Sequence, residues 1–238
     1  MSGRADTLVF VPAWNEEENL PAVLAELRSV LPEADVLVVD DGSTDGTADV
    51  ARAAGAEVLS FGENRGLPVG VAAGYAYARE HGYRWCGRVD ADGQHPAEEL
   101  KRLLERVRSG ACDVAVGSRF ATGDGYDAYR YRGPRERELG QWLLRRLMQR
   151  ALGRPMLDAT SGLYAVGERA LPILAEPYEA GAPEVEGLIR LSRAGLRVEE
   201  VPAHMRERAG GESKLAGKKA LMLVLTVGAT VLLARRRR

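Results

Sequence analysis

Short runs of apolar residues, many of them β-branched, alternate with helical patterns through the first half of the chain, and this alternation constrains the fold more than any other feature. Residues 7–11 read as a strand, 17–31 as a helix, 35–39 as a strand and 44–54 as a helix capped by Ser43 or Thr44. A short strand at 57–61, a small-residue helix at 67–81, a strand at 84–89, a helix at 96–109 and a strand at 113–116 follow. Strands that are apolar along their whole length are covered on both faces, and strands separated by helices pair in parallel. The pattern predicts an α/β fold with a mostly parallel central sheet flanked by helices. Ligands of such sheets bind beyond the carboxyl ends of the strands.

After Gly117 the pattern changes. Residues 121–135 are rich in Gly, Asp, Tyr and Arg and lack periodicity, which reads as a mobile loop. An amphipathic helix at 136–152, an extended segment at 158–166, a helix at 184–194 and a strand at 197–201 complete the expected body. With 238 residues the chain suits one large domain with an appendage, divided as 1–216 and 217–238. The two cysteines, Cys86 and Cys112, each lie beside an apolar run and read as buried thiols. The N-terminal stretch has too short an apolar core for a signal peptide, so the body is expected in the cytosol.

Three polar clusters stand where strands run out: Pro12-Ala13-Trp14-Asn15-Glu16, Asp40-Asp41-Gly42-Ser43 and Asp90-Ala91-Asp92-Gly93-Gln94-His95. All three are expected at one edge of the sheet. Neither a G-x-G-x-x-G turn after the first strand nor a P-loop is present, so dinucleotide and P-loop sites are excluded. Asp90, Asp92 and Gln94 alternate along an extended chain, which puts three oxygen ligands on one face and suits a hard cation such as Mg²⁺ or Mn²⁺. An isolated D-x-D is more readily an Asx turn than a ligand set. Two further clusters at equivalent strand ends favour the ligand set.

In order and spacing, PAWNE, VVDDGSTDGT, DADGQHPAE, GSRF, TSGLYAV and RAGGESKL resemble the motifs of family 2 glycosyltransferases with the GT-A fold. The likeness is greatest to the dolichol-phosphate mannosyltransferase and polyprenyl-phosphate glycosyltransferase branch, and it covers about residues 7–215. It implies that Pro12, Trp14, Glu16, Asp40 and Asp41 hold the base and ribose of a nucleotide-sugar donor. By the same likeness Asp90, Asp92 and Gln94 bind the metal that bridges the donor diphosphate. Arg119, Arg132 or its rival Arg135, Arg208, Ser213 and Lys214 would contact phosphate groups, Lys214 on the donor side and Arg132 or Arg135, Arg208 and Ser213 on the acceptor side, with Asp92, Arg119 and Arg208 as the catalytic residues. Trp14 replaces a common tyrosine, and Gly93 replaces a residue that is often apolar. Ser161 and Gly162 read as a turn beneath the acceptor site. Asn64 and Gly66 read as backbone geometry, His81 and His204 as structural or surface residues, and His95 either as shaping the metal loop or as a capping or structural residue. Glu186 matches a position that is usually acidic, and a helix-dipole role explains it equally well.

The charge distribution fits this reading. Net charge is −1, but the last four residues are all arginine, so residues 1–234 hold 29 basic against 34 acidic groups, a net of −5. Residues 128–154 carry eight arginines against Glu136 and Glu138. Arginine forks suit bidentate phosphate contacts, although Arg145, Arg146 and Arg150 also fit a solvated helix face. Nothing in the pattern calls for nucleic acid. From 220 to 234 an apolar stretch lies between Lys218-Lys219 and the terminal arginines. As a helix it would be roughly 22 Å long, short of a bilayer core of about 30 Å, which favours an in-plane or shallow anchor with snorkelling cations. A short span and a helix packed on protein are the alternatives.

Taken together, these features predict a metal-dependent, inverting enzyme that moves a sugar from a nucleotide donor to a polyprenyl or dolichyl phosphate at the cytosolic membrane face. A soluble hydroxyl acceptor would instead require a carboxylate base, with Glu184 or Glu186 as candidates. A silent nucleotide-sugar-binding membrane protein is the non-enzymatic alternative, and the intact DxDxQ set argues against it.

Overall fold

The computed structural model describes residues 5–123, 125–126, 135–179 and 181–206. Among the described residues seven strands form one sheet: β1 (Thr7–Ala13), β2 (Asp35–Asp40), β3 (Glu57–Ser60), β4 (Trp85–Arg88), β5 (Val114–Ser118), β6 (Tyr164–Gly167) and β7 (Val198–Pro202). Their spatial order is β3-β2-β1-β4-β6-β5-β7. All neighbours are parallel except β6, which runs antiparallel to both β4 and β5.

The helices among the described residues are α1 (Leu20–Val30), α2 (Thr47–Ala53), α3 (Leu67–Glu80), α4 (Ala97–Arg108), α5 (Arg135–Leu152), α6 (Leu171–Leu174) and α7 (Pro183–Arg193). Alternation along β1 divides the core. Leu8 and Phe10 join Val71 and Tyr75 of α3 and Leu188 of α7 on one face. Val9 and Val11 join Leu24 and Leu27 of α1 and Leu100 and Leu104 of α4 on the other. Both faces of β1 are covered, which is why all seven of its residues are buried. Among the described residues no helix is long and apolar enough to cross a membrane.

Most expected elements are present, and the departures have local causes. The first helix begins at Leu20 rather than at residue 17. Pro21 lies in its first turn, and the Glu16 carbonyl accepts the Asn19 and Leu20 N–H groups in a preceding turn. α2 begins at Thr47 because Ser43 and Thr44, the expected caps, bond to Asn15 instead. Of the extended segment expected at 158–166, only Tyr164 onward is strand; residues 158–161 are engaged by side chains described below. The short α6 carries no periodic signal in the sequence. The tail at 217–238, including the expected apolar helix, lies outside the described residues.

Candidate active site

β1 lies between β2 and β4, so the three polar clusters emerge on adjacent strands at the same sheet edge. Pairing puts Pro12 opposite Val39 and Ala13 opposite Asp40, and Phe10 opposite Arg88. Beyond Ala13 the chain turns at Asn15, the one described non-glycine residue with positive φ, at 53°. That turn lets Asn15 clamp the next loop: its N–H donates to Ser43 Oγ at 3.0 Å and its Oδ1 accepts from the Thr44 N–H at 2.9 Å. Glu16 N–H donates to Thr47 Oγ1 at 2.8 Å. Trp14, next to the clamp, is 42% exposed.

Asp40 and Asp41 are both buried. Asp40 accepts from Ser43 N–H and Ser60 Oγ, and Asp41 accepts from the Arg65 and Gly66 N–H groups at 2.7 and 2.8 Å. Asp41 therefore docks the 62–66 loop on the sheet edge, which is the backbone role expected of Asn64 and Gly66. An ionised carboxylate has about four lone-pair sites, so each retains acceptor capacity toward a ligand.

Asp92 Oδ1 accepts from the Gln94 N–H at 3.1 Å across Gly93, whose φ is +74°. This is an Asx turn, and the left-handed φ accounts for glycine where an apolar residue is common. His95 Nδ1 accepts from the Asp90 N–H at 3.1 Å; burial lowers the imidazole pKa against the raising influence of Asp90 and Asp92. An acceptor Nδ1 and a lowered pKa both describe a neutral ring, so His95 is a structural prop of this loop. The Asp90 carboxylate faces Gly162 closely enough that a Cβ there would stand 2.7 Å from its Cγ and Oδ1. Beneath it Arg88, in β4, donates to Asp90 Oδ1 at 3.2 Å and to Glu184 Oε1 of α7 at 2.8 Å. Among the described residues no three His, Cys, Asp or Glu side chains gather tightly enough to hold a metal unaided. Two carboxylates and the Gln94 amide oxygen do fit a hard cation that takes its remaining ligands from phosphate and water.

Arg119 follows β5 and forks onto Asp158, with Nε and a terminal nitrogen 2.8 and 2.7 Å from its two oxygens. Asp158 is 2% exposed and also accepts the Arg119 N–H. Its own N–H, like that of Leu157, donates to Glu200. Arg119, itself only partly buried, is thereby fixed at the site edge by a buried carboxylate, a partnership its motif does not reveal.

After β7 the chain crosses back over the site. Ala203 N–H donates to the Ser118 carbonyl and Arg206 N–H to the Gln94 carbonyl, both at 2.9 Å. Arg206 also forks onto Glu26 of α1 at 2.6 and 2.9 Å. Buried Glu99 accepts from His204 N–H, the Tyr126 hydroxyl and Arg102, and the Tyr126 and His204 rings stack at 4.3 Å. Sequence reading missed Glu99, since a glutamate in the first turn of a helix looks like a dipole partner. Glu186 accepts from Arg190 and from Glu179 N–H, and Ser161 Oγ caps Leu163 N–H. His81 stacks on Tyr77. Arg132, Arg208, Ser213 and Lys214 lie outside the described residues, and of Arg135 only its backbone, opening α5, lies within them.

The sequence profile of glycosyl transferase family 2 matches residues 8–169. The chain is 38% identical over 221 residues to an undecaprenyl-phosphate mannosyltransferase of Micrococcus luteus, covering 88% of this chain and 87% of that one. It is 32% identical over 233 residues to a polyprenol monophosphomannose synthase of Mycolicibacterium smegmatis, covering 89% and 81%. Among solved structures, the glucosyl-3-phosphoglycerate synthase of Mycobacterium tuberculosis, in complex with Mn²⁺, UDP-glucose and phosphoglyceric acid, superposes with a TM-score of 0.73 at 23% identity, covering 97% of this chain and 80% of that one.

Proposed function

The chain belongs to glycosyl transferase family 2, and from that premise we propose that it transfers a hexose, with mannose the first to test, from a nucleotide-sugar donor to a polyprenyl phosphate with inversion. The observation that carries the reading is the convergence of the Trp14–Glu16, Asp40–Asp41 and Asp90–Gln94 clusters on three neighbouring strand ends. Relatives named for undecaprenyl- and polyprenol-phosphate mannose transfer support the acceptor class.

In this reading Trp14 stacks on the base, and Asp40 and Asp41 take sugar or base hydroxyl and N–H groups with their remaining lone pairs. Asp90, Asp92 and Gln94 hold Mg²⁺ or Mn²⁺, which when bound supplies the charge neutralisation a departing diphosphate needs. Arg119, immobilised by Asp158, presents a pre-set cation to phosphate. A phosphate monoester whose second ionisation lies near 6 is already an anionic nucleophile at neutral pH, so no general base is required. The two carboxylates that could have served as one are engaged, Glu184 with Arg88 and Glu186 with Arg190. Arg132 or Arg135, Arg208, Ser213 and Lys214 complete phosphate binding, and residues 217–238 bring the enzyme to the cytosolic membrane face as a shallow anchor.

The superposition with a glucosyl-3-phosphoglycerate synthase raises a second reading, a small soluble phosphate acceptor. Purified full-length protein with Mn²⁺ and GDP-mannose, UDP-glucose or UDP-N-acetylglucosamine, offered undecaprenyl phosphate in one arm and 3-phosphoglycerate in the other, separates the two. The proposal predicts labelled sugar in the lipid extract of the first arm; label only in the water-soluble product of the second would overturn it.

A further inference from the structure

Arg88 is a costly residue to place where it lies. It sits in β4 with its side chain 2% exposed, and its Nε has no hydrogen-bond partner among the described residues. Tyr164, its partner across the β4–β6 ladder, has a buried hydroxyl that likewise finds no partner among them. An apolar side chain would fill the space without desolvating a cation. Burial on its own would push the guanidinium pKa down; Glu184 first and Asp90 second outweigh that and hold it raised. A permanent cation 3.2 Å from Asp90 also competes with any divalent ion for the same oxygen.

Glu184 resolves the conflict. It opens the first turn of α7, takes the shorter bond to the same guanidinium nitrogen at 2.8 Å, and is itself 13% exposed. We propose that Glu184 and Arg88 act together as a positioning pair for Asp90: Arg88 orients the Asp90 carboxylate against Gly162, and Glu184 cancels the arginine's charge so that Asp90 keeps its own for the divalent ion. The inference rests on Asp90 being a ligand of that ion. It also couples α7 to the metal loop, because the loop's charge balance depends on where the first turn of α7 stands.

The test is Mn²⁺ binding, followed by the electron paramagnetic resonance signal of free Mn²⁺ during titration of the full-length protein with GDP or UDP present. Glu184→Gln leaves Arg88 uncompensated beside Asp90, and Mn²⁺ affinity is expected to fall about tenfold or more, the scale of outer-shell effects on metal sites. Glu184→Gln combined with Arg88→Met removes both charges and is expected to recover affinity to within about threefold of wild type, a non-additivity that independent sites do not show. Removing both members of a buried pair is also better tolerated than removing one, so the double variant remains assayable if Glu184→Gln fails to fold. In turnover assays the Glu184→Gln defect should lie in the Mn²⁺ concentration required and lessen at saturating Mn²⁺. Wild-type affinity in Glu184→Gln, or a double variant that binds no more tightly than the single one, would overturn the proposal. A wild-type protein that binds no Mn²⁺, or an Asp92→Ala variant that binds as wild type does, would overturn the metal-site reading itself.

Discussion

Replacing Gly162 by alanine puts a methyl group where the Asp90 carboxylate now stands. The Cβ would lie 2.7 Å from Asp90 Cγ and Oδ1, and nearer still to Oδ2, whereas ordinary contacts begin at about 3.5 Å. The carboxylate must therefore retreat by roughly 1 Å, and the Arg88 bond at 3.2 Å resists its turning away. Gly162 has no positive φ, so the backbone accepts alanine, and the three atoms nearest the new methyl all belong to Asp90. A displacement of about 1 Å in a catalytic group can cost on the order of a hundredfold in rate, and a displaced ligand roughly ten- to a hundredfold in metal affinity. Steady-state sugar transfer as a function of Mn²⁺, with urea unfolding as a control, checks this. The expected outcome is an activation constant raised at least tenfold with stability lowered by no more than about 2 kcal/mol, within the usual range for an added methylene. Wild-type Mn²⁺ dependence in a folded Gly162→Ala protein would refute the geometry assigned to Asp90.

Two further outcomes follow from the ion pairs at the site. Arg119→Lys keeps the charge and loses the fork, leaving Asp158 buried with part of its partner gone; stability should fall by about 1–3 kcal/mol in urea unfolding, and transfer should fall at saturating donor. Glu26 has its pKa lowered from 4.5, first by the hydrogen bond from Arg206. A lowered carboxylate contributes stability above its unfolded pKa and loses it as pH falls through the folded value. Urea midpoints of wild type and Glu26→Gln should therefore differ at pH 6, by no more than about 1 kcal/mol for so exposed a pair, and converge on acidification below pH 4.5.

The strand ends were legible because their chemistry is local. Apolar runs such as 7–11 and 35–39 leave little choice but a doubly covered strand, and Asp90, Asp92 and Gln94 carry their alternation within five residues. Even the glycine that breaks the family's usual pattern is explained locally, by the φ it must adopt. What holds these groups in place was not legible, since it joins residues far apart in the chain: Arg88 to Glu184 across 96 positions, Arg119 to Asp158 across 39, His204 to Glu99 across 105. Such pairs depend on sheet order, and the antiparallel insertion of β6 between β4 and β5 brings Tyr164 beside Arg88 and Gly162 against Asp90. No periodicity in 158–166 announces that insertion. Ser43 and Thr44 failed as helix caps for a related reason: their hydroxyl and N–H groups found Asn15, a partner on another strand end.

Strand-end carboxylates that bind a nucleotide sugar through a divalent ion should lose that binding when either the ion or a ligand is removed. Calorimetric titration of full-length wild type and Asp92→Ala with the donor that supports transfer, each with Mn²⁺ and with EDTA, measures this. Donor binding in wild type is expected to weaken at least tenfold in EDTA, and binding in Asp92→Ala to be weak with or without Mn²⁺ while its melting temperature without Mn²⁺ stays near that of wild type. Equal donor affinity in wild type with Mn²⁺ and with EDTA, or an Asp92→Ala variant that retains Mn²⁺-dependent binding, would contradict it.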